Sequence, residues 1–241
     1  MLYWPRKHKG TTVDTRWIFS PVDKELQAAL ADRLRVSPIL AHILINRGLT
    51  DLDAARAFLR PELSGLHDPA LLPGIEQAAN RVVEAARNGQ KIVVYGDYDV
   101  DGISGTALLL QCLRLLGIEA DYYIPERLEE GYGLNVEAVG KLKAAGANLI
   151  VTTDCGISAL DEAKAARNAG MDLIISDHHE PGPELPQAFA VINPKTAGNP
   201  YPFKDLSGVG VAFKLAWGIA QSFSGAKKVS PEFRDFLVNA V

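Results

Sequence analysis

The sequence predicts an α/β protein in which a doubly wound, mostly parallel sheet is preceded by a helical N-terminal segment. After Gln90, short apolar runs rich in β-branched residues alternate with helical stretches of about 10–15 residues. This alternation is typical of a parallel sheet with helices on both faces, because each parallel strand needs a crossover to reach the next one. From Asp23 to Arg87, in contrast, the pattern is helical.

Three helices are predicted in the N-terminal segment, over residues 23–36, 37–48 and 50–61. The first carries leucines at every fourth position, which places them on one helical face. The second begins with Ser37 as its N-cap and a proline at the first helical position. A proline also halts the third helix, since proline cannot continue the hydrogen-bond pattern.

Residues 1–20 are an arm in which basic and aromatic residues are interleaved. Such an arm either contacts nucleic acid or packs its aromatic side chains irregularly on the body of the protein. We expect two domains: residues 1–70 as the N-terminal arm and helical lead-in, and residues 71–241 as the α/β domain.

Five strands are predicted in the second domain, and each is a short apolar run. Their sequences are KIVVYGD, ADYYIP, NLIVTTD, MDLIISD and AFAVINP. Helical segments follow the first three strands. Two further helices, within LSGVGVAFKLAWGIAQSF and SPEFRDFLVNAV, complete the domain.

The composition is that of an ordinary folded protein. The 241 residues are 47% hydrophobic and 22% charged, with a formal net charge of −4. This charge provides no global basic field for nucleic acid or membrane, although divalent cations in an acidic site would reverse the local sign. Two cysteines give no disulfide framework, the N-terminal residues are too charged for a signal peptide, and no apolar run reaches roughly 18 residues. We therefore expect a cytoplasmic protein that does not contact the membrane.

Acidic residues and histidines follow three of the predicted strands, at the point where each strand ends. They are Asp97, Asp99 and Asp101 after the first strand, Asp154 after the third, and Asp177, His178 and His179 after the fourth. The carboxyl ends of parallel strands meet at one edge of a sheet, where the ligand crevice of this fold class lies. Residues far apart in the sequence should therefore converge in one small volume.

Such a cluster of carboxylates needs compensation. Two like charges about 4 Å apart cost roughly 4 kcal/mol at an effective dielectric constant near 20. Either protons or cations must offset that repulsion, and carboxylate oxygens with imidazole nitrogens are ligands that suit Mn²⁺, with Mg²⁺ also compatible. The number of ligands exceeds what one open site needs. The sequence therefore predicts two ions of the kind that assist displacement at phosphorus.

Each motif taken alone has a simpler interpretation. The three aspartates of DYDVD also fit an acidic turn or a calcium loop, although position 12 of an EF-hand loop would be Leu108, which is not a ligand. Asp177 could cap the turn that follows it. Cys155 could ligate zinc or fill tight space at a strand end. Only the three strand ends together favour a metal centre.

The helix after DYDVD begins close to the aspartates. Gly102 and Gly105 allow close backbone approach, and Ser104 or Thr106 is the expected cap of a helix that starts near Ile103. The free N–H groups of a helix N-terminus attract a phosphate. The spacing of the glycines matches neither a Walker loop nor a dinucleotide-binding fingerprint.

Several segments of the sequence resemble a known family. In this order, VVYGDYDVDGISGTALL, VTTDCGIS, IISDHHEPG and INPK resemble the DHH phosphoesterase superfamily, named for its Asp-His-His motif. Longer segments, including YIPERLEEGYGLN and LSGVGVAFKLAW, are similar to the RecJ family of bacterial single-strand-specific exonucleases. The resemblance implies 5′→3′ degradation of single-stranded DNA in recombination and repair, with Mn²⁺ or Mg²⁺ as cofactor. It also implies a single-strand-binding protein and a helicase as partners.

The resemblance also implies residue roles. Asp97 is expected among or next to the metal ligands, and Asp177 is expected to orient a ligating histidine. Arg127 either steadies a phosphate or forms a surface ion pair. The implied ligands are Asp99, Asp101, Asp154, His178 and His179, and the implied catalytic motif is Asp177, His178 and His179.

Members of the RecJ family continue past the segment that this chain resembles, with a further aspartate ligand, a second domain and an oligonucleotide-binding fold. We therefore expect the α/β domain to be truncated at its C-terminal end. Two other functions stay open: a DHH phosphoesterase of small substrates, such as oligoribonucleotides, cyclic dinucleotides or pyrophosphate, and an inactive fragment.

Overall fold

The structure is a computed structural model that describes residues 6–8, 11–13, 18, 20–126, 131, 133–226 and 228–239. Arg127 and most of the predicted N-terminal arm lie outside the described residues. The chain divides into two compact units, residues 1–66 and residues 67–241.

The first unit contains a short antiparallel hairpin and three helices. The hairpin pairs β1 (Arg6–His8) with β2 (Thr11–Val13), and the helices are α1 (Lys24–Leu34), α2 (Pro38–Asn46) and α3 (Leu52–Leu59). Each helix begins at a side-chain N-cap that accepts backbone N–H groups of the first turn, and these caps are Asp23, Ser37 and Asp51. All three predicted helices are thus present.

The second unit contains the sheet and six helices. In chain order its elements are α4 (Ile75–Arg87), β3 (Ile92–Gly96), α5 (Val100–Leu115), β4 (Asp121–Tyr123), α6 (Val136–Ala144), β5 (Leu149–Thr153), α7 (Leu160–Asn168), β6 (Asp172–Ser176), β7 (Ala190–Ile192), α8 (Gly208–Ser224) and α9 (Pro231–Asn239). None of the helices in the described part of the chain is long and apolar enough to cross a membrane.

The five strands of this unit form one sheet in the order β4-β3-β5-β6-β7, and every pair is parallel. The predicted doubly wound parallel sheet is therefore confirmed. The chain leaves β3 towards β4 on one side and returns to β5 on the other. This reversal creates a crevice between β3 and β5 at their carboxyl ends, which is where ligands bind in this fold class.

Helices cover both faces of the sheet. On one face α8 packs against α4 and α5, and a glycine permits the close approach to α4. A Cβ at Gly218 of α8 would lie 2.5 Å from Cγ2 of Ile75 on α4. On the other face, α6 and α7 contribute to the core beneath β3, β5 and β6.

The start of α5 differs from the prediction. The helix begins at Val100, and its N-cap is Asp99 rather than Ser104 or Thr106. The Asp99 carboxylate accepts the backbone N–H groups of Asp101 and Gly102, so the helix can start about one turn earlier than expected. Thr106 instead donates its hydroxyl to the carbonyl oxygen of Gly102.

Candidate metal centre

Three acidic residues stand directly after three neighbouring strands and continue the ladder of the sheet. The N–H of Asp97 donates to the carbonyl oxygen of Thr153, and the N–H of Asp154 donates to that of Ser176. The N–H of Asp177 donates to the carbonyl oxygen of Ile192. Parallel pairing therefore fixes these residues side by side at the carboxyl edge of β3, β5 and β6, as the sequence predicted.

Two groups of candidate ligands meet in this place. One comprises Asp97, Asp99 and Asp154, and the other comprises Asp154, His178 and His179; in each group one ligand atom per residue lies within 4.8 Å of the others. Asp154 belongs to both groups, and its side chain is 1% exposed. A residue shared in this way can bridge two ions.

The backbone of Asp154 is in the left-handed region, with φ of 63°. Aspartate tolerates this conformation better than most residues, but it still costs on the order of 1–2 kcal/mol. Gly156 follows with φ of 112°, so the chain turns sharply directly after β5. The strained turn sends the carboxylate of Asp154 into the crevice, and such strain is concentrated at functional sites.

The two histidines extend the centre towards β6. His178 Nε2 lies 3.1 Å from Oδ1 of Asp154, and the two imidazole rings are 4.5 Å apart between their centroids. His179 is held through its other nitrogen, since its Nδ1 is 2.7 Å from Oδ1 of Asp177. Nε2 of His179 is therefore the ring nitrogen that would act as a ligand atom.

Asp177 is bonded on both of its oxygens. Oδ1 accepts the backbone N–H groups of His178 and His179 as well as the contact with the His179 ring, and Oδ2 accepts the N–H of Ile157. The side chain is 2% exposed. Asp177 thus caps its own turn and orients the His179 ring at the same time, which is the usual position of a carboxylate behind a ligating histidine.

Asp101 lies beside the two groups without belonging to either of them. Its Oδ2 accepts the N–H of Gly208 over 2.7 Å, and its Oδ1 accepts the N–H of Val209 over 2.6 Å. His178 Nε2 is 3.7 Å from Oδ2. A carboxylate offers about four lone pairs, so Asp101 keeps two for a cation after both of these bonds are formed.

The centre holds carboxyl groups with altered pKa values. Burial raises the pKa of Asp97. Burial, followed by the charges of Asp101 and Asp99, raises the pKa of Asp154 to about 8. The N–H of Gly102 lowers the pKa of Asp99, and a hydrogen bond with the Asp154 carboxyl group lowers it further. Burial and the neighbouring carboxylates therefore favour the protonated form of Asp154 when no cation is bound.

Three buried oxygens in the centre form no hydrogen bond of normal geometry within the described residues: Oδ1 and Oδ2 of Asp97, and Oδ1 of Asp154, which has only the 3.1 Å contact with His178 Nε2. The N–H groups of Tyr98 and Gly133 lower the pKa of Asp97 but form no hydrogen bond of normal geometry with it. Unpaired buried oxygens are rare because they cost about 1–3 kcal/mol each. Oxygens of this kind, next to imidazole nitrogens, fit a divalent cation such as Mn²⁺ or Mg²⁺.

Cys155 belongs to neither group of candidate ligands. It is 2% exposed and packs within the core beneath the sheet. Burial raises the pKa of its thiol well above the ordinary value, so the thiolate that zinc requires is disfavoured. Cys155 therefore acts as a small core residue.

Three residues of the centre were not predicted from the sequence. The backbone N–H groups of Gly208 and Val209 donate to the carboxylate of Asp101. The Asn193 side chain supports the backbone at His179: its Nδ2 donates to the carbonyl oxygen of His179 over 2.9 Å, and its Oδ1 accepts the N–H of Lys195. Asn193 could have been found, because it directly follows β7 as the acidic residues follow the other strands.

A cavity of about 340 Å³ opens beside His179. Its walls include Gly133 and Leu134 on one side and Ser158, Ala159 and Glu162 on the other. The hydroxyl of Tyr95 donates to the carbonyl oxygen of Gly133 over 2.9 Å and so ties that wall to β3.

Known proteins share both the sequence and the fold. A single-stranded-DNA-specific exonuclease RecJ of Bacillus subtilis (strain 168) is 45% identical over 201 residues, which is 83% of this chain and 26% of the relative. RecJ of Thermus thermophilus in complex with Mn²⁺ superposes with a TM-score of 0.69 at 30% identity, over 92% of this chain and 31% of that one. The same protein in complex with Mg²⁺ gives a TM-score of 0.56 at 26% identity, over 92% and 27%.

This chain thus spans about a quarter of the length of the Bacillus relative. The sequence model described as "DHH family, N-terminal domain" matches residues 91–241, which contain every candidate ligand named above. The chain therefore belongs to the DHH family.

Proposed function

We propose that this chain is the catalytic part of a metal-dependent exonuclease that hydrolyses the phosphodiester bonds of single-stranded DNA from the 5′ end, in recombination and repair. The observation that carries the proposal is the pair of ligand groups that share Asp154 at the carboxyl edge of the sheet. The relatives named as single-stranded-DNA-specific exonucleases support the substrate. The chain covers only 26% of the length of the Bacillus relative, so the exonuclease activity of this chain is a proposal.

We assign one divalent ion to Asp97, Asp99 and Asp154, and a second to Asp154, His178 and His179. Asp101 is placed at the border of the two, where it can ligate or accept a hydrogen bond from a ligated group. Mn²⁺ and Mg²⁺ both suit this mixture of oxygen and nitrogen donors. When bound, such a pair of ions lowers the pKa of water and neutralises charge on the reacting phosphate.

The chain's own residues supply position and charge. Asp177 fixes the His179 ring in one orientation, and the N–H groups at the start of α8 fix the carboxylate of Asp101. The acidic groups would repel a DNA phosphate unless ions neutralise them, so binding of the scissile phosphate depends on the cations. The domain that performs this reaction is proposed to begin near residue 71, after the helical lead-in.

We place the terminal nucleoside of the strand in the cavity beside His179. Its volume of about 340 Å³ lies at the low end of pockets that enclose a small organic ligand, roughly 300–1,000 Å³. Leu134 and Ala159 offer apolar contacts for a sugar or base, and Ser158 and Glu162 offer polar ones.

The proposed compartment is the cytoplasm, where the DNA lies and where the two free, buried cysteines would stay reduced. A single-strand-binding protein and a helicase as partners stay predictions from the resemblance.

The test is hydrolysis by the 241-residue chain in the presence of Mn²⁺. We expect release of mononucleotides from a 5′-labelled single strand and none from the matching duplex, with Asp154→Asn as the inactive control. Hydrolysis of dinucleotides but not of long single strands would favour the small-substrate phosphoesterase instead. No hydrolysis of either, with no Mn²⁺ detected by calorimetric titration, would contradict the proposal.

A further inference from the structure

A cavity of about 220 Å³ in the first unit is lined by four arginines and two leucines. Its walls are Arg33, Leu34 and Arg35 at the end of α1, and Arg56, Leu59 and Arg60 at the end of α3. Among the described residues, no carboxylate lines it. All four arginines are exposed at the surface, while the two leucines are partly buried and form an apolar floor.

The charge in this arginine cavity is poorly compensated. Arg56 pairs with Asp53 over 2.9 Å, whereas no ion pair or side-chain hydrogen bond is found for Arg33, Arg35 or Arg60 within the described part of the chain. The C-termini of α1 and α3 contribute about −0.5 charge each. Asp53 and the two helix ends therefore offset only part of the positive charge, which leaves an excess of positive charge on the walls of the cavity for an anion to neutralise.

Arg35 occupies a position where the backbone favours another residue. It is the C-cap of α1 with φ of 56°, in the left-handed region, where glycine is the usual choice. An arginine there costs on the order of 1 kcal/mol relative to glycine. The protein keeps a charged side chain in the wall of the cavity despite that cost.

We propose that the arginine cavity binds the phosphodiester backbone of single-stranded DNA, as a second contact in a different unit from the metal centre. Guanidinium groups match phosphate oxygens with paired hydrogen bonds, and the leucine floor suits the adjacent deoxyribose. The volume is below that of pockets for larger ligands, roughly 300–1,000 Å³, and suits one phosphate with its neighbouring sugar. The choice of a DNA strand as ligand rests on the proposed function.

The experiment measures binding without hydrolysis, by fluorescence anisotropy of a labelled oligothymidylate of about 12 nucleotides on the 241-residue chain in EDTA. For the double variant Arg35→Gln/Arg60→Gln we expect a dissociation constant raised on the order of tenfold. The slope of log K against log salt should flatten by about 0.7, since the cavity holds one phosphate and each phosphate contact on a single strand contributes about 0.7.

Two further variants separate binding from folding and from general charge. Arg35→Gly removes one guanidinium and relieves the left-handed backbone, so it should bind more weakly while its melting temperature stays the same or rises. The matched control is Arg87→Gln/Arg114→Gln, which removes two exposed arginines from the last turns of α4 and α5. These helices end at the amino edge of the sheet, opposite the metal centre, so the control should bind as the wild type does.

An affinity loss in Arg35→Gln/Arg60→Gln no larger than in the control would overturn the proposal. So would arginine-dependent binding of pyrophosphate with no binding of the oligothymidylate, since the cavity would then be a site for a free anion. Failure of the exonuclease proposal looks different: hydrolysis with Mn²⁺ would be absent while arginine-dependent binding in EDTA persisted.

Discussion

The backbone N–H of Gly208 donates to Oδ2 of Asp101 over 2.7 Å, and this bond joins the start of α8 to the acidic loop after β3. Gly208 also lies against the side chain of Asp154, where a Cβ would be 2.6 Å from both Cβ and Cγ of the aspartate. One glycine thus sets the distance between the loop that carries Asp99 and the turn that carries Asp154. The helix belongs to the metal centre although it carries no ligand in either group.

Gly208→Ala should therefore weaken Mn²⁺ binding by about 10–100-fold, the range seen when residues that support metal ligands are changed. The added methyl group forces either Asp154 or the first turn of α8 to move. Calorimetric titration with Mn²⁺ measures the loss, and thermal unfolding shows whether the fold persists.

The control for this change is Gly218→Ala on the same helix. Its Cβ would lie 2.5 Å from Cγ2 of Ile75 on α4, at a distance from the ligands. We expect it to lower the melting temperature but to leave Mn²⁺ affinity unchanged. Equal losses of affinity in both variants would mean that α8 acts only through global stability.

The two ligand groups predict different stoichiometries for three variants. Wild type should bind two Mn²⁺ ions, Asp99→Asn and His179→Gln should each retain one, and Asp154→Asn should retain none, because only Asp154 belongs to both groups. Asparagine at position 99 still caps α5, so its loss of an ion does not follow from loss of the helix. Equilibrium dialysis with metal analysis counts the ions. One ion retained in Asp154→Asn would show that the two sites do not share this residue.

The local pattern of the sequence predicts the strands of the sheet, the meeting of the acidic residues and the start of one helix. Each strand of the five-stranded sheet lies within a short apolar run of the sequence, and the parallel arrangement then requires that Asp97, Asp154 and Asp177 meet at one edge. Ser37 likewise identifies the start of α2, because its cap depends only on the first turn of that helix. Such features depend on neighbours in the sequence or on one rule of sheet topology.

Other features depend on contacts that no local pattern contains. The bond between Gly208 and Asp101 joins residues 107 positions apart, and the segment GVGVAFKL reads simply as an apolar helix. The sequence predicts too late a start for α5, because Ser104 and Thr106 are residue types that commonly cap helices. In the folded chain Asp99 is the N-cap of α5. Its carboxylate accepts the N–H of Gly102 and forms a hydrogen bond with the carboxyl group of Asp154, which is distant in the sequence.

Asn193→Ala tests the support behind His179. The change leaves the carbonyl oxygen of His179 and the N–H of Lys195 without their partners, so the free energy of unfolding should fall by about 1–3 kcal/mol. Mn²⁺ affinity should fall as well, because the backbone that carries the His179 ring loses this support.

The matched control is Asn148→Ala, which removes an amide that accepts the N–H of Lys91 at the opposite edge of the sheet. Chemical denaturation and Mn²⁺ titration of both variants make the comparison, and an unchanged affinity in Asn193→Ala would assign it a purely structural role.

Lys214 should make the stability of the protein depend on pH in the alkaline range. This lysine of α8 is 2% exposed, donates to the carbonyl oxygen of His67 over 2.7 Å and lies 4.9 Å from the centre of the Trp217 ring. Burial lowers its pKa from 10.5 to about 8. Between about pH 8 and 10.5 the unfolded chain therefore binds more protons than the folded one, and stability contributed by this site rises with pH. Below about pH 8 both states are protonated and the full cost of the buried charge is present, at most about 3 kcal/mol.

The variant Lys214→Met removes that charge. The difference in the free energy of unfolding between Lys214→Met and wild type should change across this window and flatten below it, because the other titrating groups are common to both proteins. Lys214→Arg, which stays protonated throughout, should be less stable than wild type, and increasingly so as the pH rises. Urea denaturation at a series of pH values gives these differences. A difference that is independent of pH between about 8 and 10.5 would show that Lys214 keeps its proton in the folded protein, with the Trp217 ring and the His67 carbonyl group compensating for its burial.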